Sequence, residues 1–144
     1  MVDIRRNAVD AFDMRRHLNI GQVIPAHPLA LLPTRGMDER HQRALTRYYV
    51  AAGAGGMAVG VHTTGFAIHD AKIGLYRPVL ELAAETANEA LARDPRAFVR
   101  VAGLIGDTAQ AVREAQIAGL KRIRAARDDG AVTEALAAIT RCAE

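Results

Sequence analysis

Two adjacent threonines, Thr63 and Thr64, follow a short apolar run at residues 57–61. The run reads as a buried strand, with a glycine turn before it and a polar loop after it. The threonines then stand at the strand's carboxyl end, where open and barrel-shaped α/β sheets collect their ligands. Two histidines have a related place. His27 and His62 fall in loops expected at the carboxyl ends of neighbouring strands. Facing one pocket, they would serve as acid–base groups or anion donors; the other reading is that they are ordinary loop histidines. His17 and His41 read as solvated helix residues, and His69 carries no particular assignment. The five histidines show no HExxH or related spacing, so no metal is expected. The single cysteine, Cys142, excludes an intrachain disulfide and any CxxC site. It reads as inert, with no ordered base beside it.

The elements that must position these groups can be read from the punctuation of the chain. Residues 3–18 have the spacing of an amphipathic helix that covers something, closed by Gly21. Val23 and Ile24 suit a short strand. Pro25 and Pro28 lack amide donors, so the strand is expected to end near Pro25, with a loop at 25–33. Asp38 is a good N-cap for a helix with Leu45, Tyr48, Tyr49 and Ala52 on its apolar stripe and Gly53 at its end. The strand at 57–61 follows. A helix from Leu75 carries Val79, Leu82, Ala83, Thr86, Ala87, Ala90 and Leu91 on one side and stops at Asp94-Pro95. Residues 97–104 read as a third strand. Asp107, with Gln110 three residues on, caps a helix running to Gly119. A fourth strand is absent: residues 120–127 are charged and helix-prone. Gly53-Ala54-Gly55-Gly56-Met57-Ala58 fits a loose GxGxxA pattern, but it follows a helix and opens a strand, the reverse of a dinucleotide fingerprint.

Composition sets the outer limits. The chain has 144 residues, 50% of them hydrophobic, with no tryptophan and few aromatics, so no stacking platform for single-stranded nucleic acid is present. Net charge is +3; Lys72 and Lys121 are the two lysines among 19 basic residues, the rest being arginine. Basic side chains interleave with acids, and the cluster at 121–127 reads as a solvated helix face, so no nucleic-acid partner is expected. The charged start has no secretory pattern, and no apolar run approaches the roughly 20 residues that span a bilayer. The expectation is a cytoplasmic protein with no membrane partner.

Four stretches carry a family resemblance: Ile24-Pro25-Ala26-His27-Pro28-Leu29, the glycine-rich run at 52–60, Thr63-Thr64-Gly65, and Val101-Ala102-Gly103-Leu104-Ile105-Gly106-Asp107-Thr108. In order and spacing, residues 21–119 resemble the first part of the dihydrodipicolinate synthase family. The resemblance implies a (β/α)8 barrel and Schiff-base lyase or aldolase chemistry. A lysine amine condenses with a 2-keto acid such as pyruvate, and the enamine attacks or releases an aldehyde. It also implies that Thr63 and Thr64 bind the keto-acid carboxylate and pass protons toward a tyrosine. Hydroxyls and turn amides suit that task. The candidate substrate-binding set is Thr63, Thr64, Gly65, Pro25, His27 and His62. No cofactor is implied. Phe66 stands where the family often has glutamate, and His62 where it commonly has glycine, which points to a divergent subgroup.

The resemblance places the reactive lysine on the sixth barrel strand and the relay tyrosine on the fifth. A full barrel takes about 250 residues. Lys72 lies in a segment expected to be solvated, and Lys121 in a basic helical stretch, so neither has the desolvated setting of a Schiff-base former. Tyr48, Tyr49 and Tyr76 read as packing residues. No catalytic residue is therefore assigned. The expected fold class is α/β, a partial TIM-type barrel of about three parallel strand–helix units at 21–119, between a helical extension at 1–20 and a helical tail at 120–144. The first functional reading is a partial dihydrodipicolinate synthase-like lyase, inactive alone. The alternative is a small non-catalytic α/β module that binds or self-associates, with a second copy or a complementary chain on its open sheet.

Overall fold

The computed structural model describes residues 14–125. The expected helical stretches at 3–13 and 126–144, with Cys142, lie outside them. The described chain is mixed α/β: four α-helices and a two-stranded parallel sheet. Two compact units divide it, one ending at Gly103 and one beginning at Leu104.

In the first unit, helix α1 (Met14–Asn19) is short, and the Gly21 amide closes onto the Leu18 carbonyl at 3.0 Å. The His17 Nε2–H donates to the Gly55 carbonyl (2.8 Å), and the Gln22 side chain donates to the His17 carbonyl (3.0 Å). The extension thus covers the turn just before the central strand. His17 is held by that contact, where the sequence suggested a solvated residue.

Strand β1 (Gly56–Val59) pairs in parallel with β2 (Val99–Ala102), with Met57 opposite Arg100 and Ala58 opposite Val101. The segment expected as the first strand lies on the other side of β1. It is extended there and joined by one parallel bridge, Ala26 to Ala58. Three bonds hold it: Gly55 N–H to the Val23 carbonyl (3.0 Å), Ala58 N–H to that of Pro25 (2.9 Å), and His27 N–H to that of Ala58 (2.8 Å). Pairing therefore runs past Pro25 to His27. A proline lacks its N–H but keeps its carbonyl, and here the carbonyl is the group that faces β1. On the outer edge the Ala26 carbonyl accepts from the Tyr49 hydroxyl (3.4 Å), and Pro28 has no donor to offer.

Both crossover helices lie on one face of this sheet. Helix α2 (Glu39–Ala51) opens at Asp38, whose carboxylate accepts the His41 N–H at 3.1 Å. The His41 amide and ring hold the Asp38 carboxyl below its usual range, the sign expected of an N-cap. Gly53, at φ 83°, takes the left-handed turn that ends the helix. Helix α3 (Tyr76–Arg93) packs beside α2, and exposed pairs join them, Arg43–Glu85 (3.2 Å) and Arg47–Glu89 (3.6 Å). The core is the seam between helices and sheet: Val50 of α2, Met57 and Val59 of β1, Val79, Ala83 and Ala87 of α3, and Phe98. Arg100 faces α3 through Asn88 (2.9 Å), so Val101, its neighbour in the pleat, points to the opposite face, where it is 41% exposed.

The buried face of α2 differs from the apolar stripe. It is Gln42, Thr46 and Val50, while Tyr48 is 64% exposed. Beyond the helix, the Arg96 guanidinium donates to the Val50 carbonyl in the last turn of α2. Arg96→Met removes a charge-assisted bond to a helix-end carbonyl and is expected to lower unfolding free energy by about 1 to 2 kcal/mol in a urea titration. An unchanged midpoint would show that water replaces the guanidinium.

In the second unit, helix α4 (Thr108–Ala125) opens at Asp107, whose carboxylate accepts the Gln110 N–H at 2.8 Å. The Gln110 side chain does not fold back as a capping box would; it donates to Glu114 (2.9 Å). Glu114 is buried and also accepts the Ile105 N–H at 3.0 Å. The helix runs through Gly119, where an end was expected. One interior glycine costs about 1 kcal/mol, too little to stop a helix otherwise favoured.

Candidate functional site: the carboxyl end of the central strand

The chain leaves β1 at Gly60, whose φ of 75° swings it out of the sheet. Both polar groups of that residue are fixed. Its N–H donates to the Thr64 Oγ1 at 3.0 Å, and its carbonyl accepts from the His69 Nε2–H at 2.8 Å. The Thr64 hydroxyl in turn donates to the His27 carbonyl at 2.7 Å. One side chain thereby ties the loop after β1 to the loop after the edge segment. Thr64 is 2% exposed.

The turn closes on itself. The Thr64 N–H bonds to the Val61 carbonyl (3.0 Å), and the Gly65 N–H is shared between the carbonyls of Val61 (3.2 Å) and His62 (3.1 Å). The hydroxyl of Thr64 and the amides of Thr64 and Gly65 are thus engaged inside the loop, rather than presented outward as a carboxylate cradle would need. Thr63 and His62 are exposed. Of the threonine pair, Thr63 is presented and Thr64 is the strut beneath it.

His27 and His62 do not face one pocket. The His27 ring is fully buried against α2. Its Nε2 lies 2.8 Å from the Thr46 Oγ1, and its Nδ1 lies 2.8 Å from the Gln42 Nε2 and 2.9 Å from the Pro28 carbonyl. Gln42 also donates to the Pro28 carbonyl (3.0 Å) and accepts the Ala30 N–H (2.7 Å). Burial pushes the imidazole below its ordinary value, and the Pro28 carbonyl partly opposes that. Pro25 is half-buried, and its carbonyl is used in the pairing with β1.

Two side chains that the sequence reading gave no site role complete the wall. His69 is buried on the 3-10 turn Phe66–His69, its ring centroid 4.5 Å from that of Tyr76. The Tyr76 hydroxyl donates to the Gly103 carbonyl at 2.8 Å, just past β2. His69 and Tyr76 therefore hold the last carbonyls after β1 and β2. Tyr76 packs as expected; His69 gave no sequence signal, because a lone histidine after an apolar pair resembles any loop residue. Gln42 and Thr46 were detectable only as polar residues four apart on one helix face. Lys72 is exposed, its amide on the Asp70 carboxylate (2.8 Å), and Lys121 falls on α4. Among the described residues no group of three or more histidine, cysteine, aspartate or glutamate side chains is placed to hold a metal ion, and no helix is long and apolar enough to cross a membrane.

No protein family, curated protein or solved structure matches this chain. An exposed threonine, presented on a rigid turn at the carboxyl end of a parallel strand, can hydrogen-bond one small anionic or carbonyl ligand. Among the described residues, no nucleophile with a neighbouring base stands at this loop.

Proposed function

We propose that residues 21–119 supply the carboxylate-binding part of a Schiff-base lyase or aldolase of the dihydrodipicolinate synthase type, and not its reactive amine. The supporting observation is the winding of the first unit. Edge segment, β1 and β2 lie side by side in chain order, and both crossover helices cover one face. Sheets of the doubly wound kind place helices on both faces, whereas successive units of a (β/α)8 barrel place them all outside. On this reading the face bearing Ala26, Ala58 and Val101 is the barrel interior. The loop with Thr63 stands at the ligand-binding rim.

In this arrangement the Thr63 hydroxyl donates to a carboxylate oxygen of the 2-keto acid. Thr64, which the family resemblance makes a second ligand, holds the turn instead. A lysine from outside this sequence forms the imine with the keto carbon; the carbonyl oxygen departs as water. Lys72 and Lys121 take no part.

The test is a pyruvate titration of the isotope-labelled chain followed by amide NMR. Shifts confined to the loop around Thr63–Phe66 are expected. They should vanish in Thr63→Val, whose fold is retained, and should not be produced by acetone, which lacks the carboxylate. Borohydride added with pyruvate is expected to leave the protein mass unchanged. A loop blind to pyruvate would end the proposal, and a trapped adduct on Lys72 or Lys121 would replace its assignment of the amine.

A second reading has its own observation. Val101, 41% exposed on the face away from α2 and α3, suits a module that associates through its open sheet face. Sedimentation of the full chain separates the two: a dimer weakened by Val101→Lys favours association.

A further inference from the structure

Three side chains meet at Gly60, where the chain turns out of β1. The Thr64 hydroxyl accepts its N–H, and the His69 ring donates to its carbonyl. The third contact is apolar. A Cβ built on Gly60 would stand 3.1 Å from Cε2 of Tyr76, so the tyrosine ring lies against the bare α-carbon. Glycine alone suits this place: its φ of 75° is left-handed, and a methyl group would have to push the ring aside.

The Tyr76 ring is itself fixed. Its hydroxyl donates to the Gly103 carbonyl at 2.8 Å, and it meets the His69 ring at 4.5 Å between centroids, tilted by 33°. It is 6% exposed, at the start of α3. Contacts thus run without a break across the carboxyl ends of three strands. They lead from the Gly103 carbonyl after β2, through Tyr76 and His69, to Gly60 after β1, and through Thr64 to the His27 carbonyl of the edge segment. A residue gripped at N–H, α-carbon and carbonyl cannot rotate without giving up one of the three. The direction of the Gly60 N–H decides where Thr64 sits, and Thr63 precedes Thr64 in the same closed turn.

We propose that Tyr76 is a positioning residue for Thr63. Anchored on the Gly103 carbonyl, its ring, together with the His69 ring beside it, holds Gly60 in the orientation that presents the Thr63 hydroxyl. The use of that hydroxyl for a carboxylate rests on the function proposed above; the bracing of the turn does not. The tyrosine hydroxyl is the sensitive group. A phenyl ring keeps the area and the stacking, but nothing then ties it to the strand end, and its grip on Gly60 slackens.

The experiment uses the full chain carrying Tyr76→Phe, compared with the wild type. Hydrogen exchange of the Gly60 amide reads its bond to Thr64, and the amides of Ala83 and Ala87, both buried in α3, read global opening. The variant is expected to lose about 2- to 10-fold of protection at Gly60 beyond what Ala83 and Ala87 lose, the equilibrium worth of one hydrogen bond. Pyruvate binding, followed at the amides of residues 63–66, should weaken by a similar factor. A tyrosine that only supports the fold would lower all three amides by one factor, and this overturns the proposal. His69→Gln keeps an N–H donor for the Gly60 carbonyl and should retain protection at Gly60, whereas His69→Leu should lose it. Equal losses in those two variants overturn the proposal as well; should the leucine variant not fold, Tyr76→Phe decides alone. Selective loss at Gly60, with no pyruvate response even in the wild type, supports the bracing and removes the carboxylate reading. Pyruvate affinity equal in the wild type and Tyr76→Phe removes the positioning role and keeps the site.

Discussion

Gly103→Ala is expected to destabilise the protein by roughly 3 kcal/mol or more, at the upper end of the cost of overpacking a close contact. A methyl group at this position would fall on the Gly60 carbonyl and crowd the Val61 amide nitrogen at 3.1 Å. These are backbone atoms, and neither can turn aside as a flexible side chain would. Gly60 is held through its N–H by Thr64 and through its carbonyl by His69, and the Gly103 carbonyl is held by Tyr76. Relief of the overlap therefore means breaking one of those bonds or prising β1 from β2. Against a total stability of about 5–15 kcal/mol for an ordinary domain, such a loss removes a large share. Equilibrium urea unfolding measures it, with Gly36→Ala as the control, since the nearest atom there is 3.8 Å away. A Gly103→Ala midpoint equal to that of the control would mean that the two strands do not approach as described.

Thr64→Val should cost about 3 kcal/mol, whereas Thr63→Val should change stability by no more than about 0.5 kcal/mol. Valine keeps the shape of threonine and deletes one oxygen. At Thr64 that oxygen serves two buried backbone groups, the Gly60 N–H and the His27 carbonyl. Both would remain buried with no partner, and an orphaned group of this kind costs about 1–3 kcal/mol. At Thr63 the hydroxyl is exposed, and its loss leaves no buried backbone group without a partner. The contrast between adjacent residues of one type is measured by thermal and urea melts of the two variants. Equal effects would show that the hydroxyl of Thr64 is not the tie between the two loops. If Thr63→Val keeps its stability and loses the pyruvate response, the division of labour within the pair is established.

The order of elements was legible in the sequence because it rests on local chemistry. Asp38 and Asp107 cap the helices they precede, Gly53 turns out of α2, and Asp94-Pro95 closes α3. The stripe of α3, with Val79, Leu82, Ala83, Thr86 and Ala87 buried, follows from apolar spacing alone. The face of α2 was not legible for the opposite reason. Gln42 and Thr46 are buried because partners on His27, Pro28 and Ala30 satisfy them, and hydropathy carries no record of a partner distant in the chain. The exposed Tyr48 is the other side of the same displacement. The threonine pair was found by its position, yet its two members were read as equivalent. Only the direction of the Gly60 and His27 backbone groups separates them. The proposed likeness of residues 21–119 to the dihydrodipicolinate synthase family likewise rests on types and order of residues, and says nothing of which oxygen is engaged.

The edge segment has a further consequence for the behaviour of the chain in crowded solution. A free strand edge is a template on which another molecule can add a strand, the first step toward fibrous aggregates. Here the outward carbonyl of Ala26 is met by the Tyr49 hydroxyl, and the next outward position is Pro28, which has no hydrogen to give. An arriving strand finds a register that is interrupted just where it would need to continue. Pro28, one of the two prolines that first read as the end of a strand, thus also guards its flank, and concentrated protein should resist growth from that side.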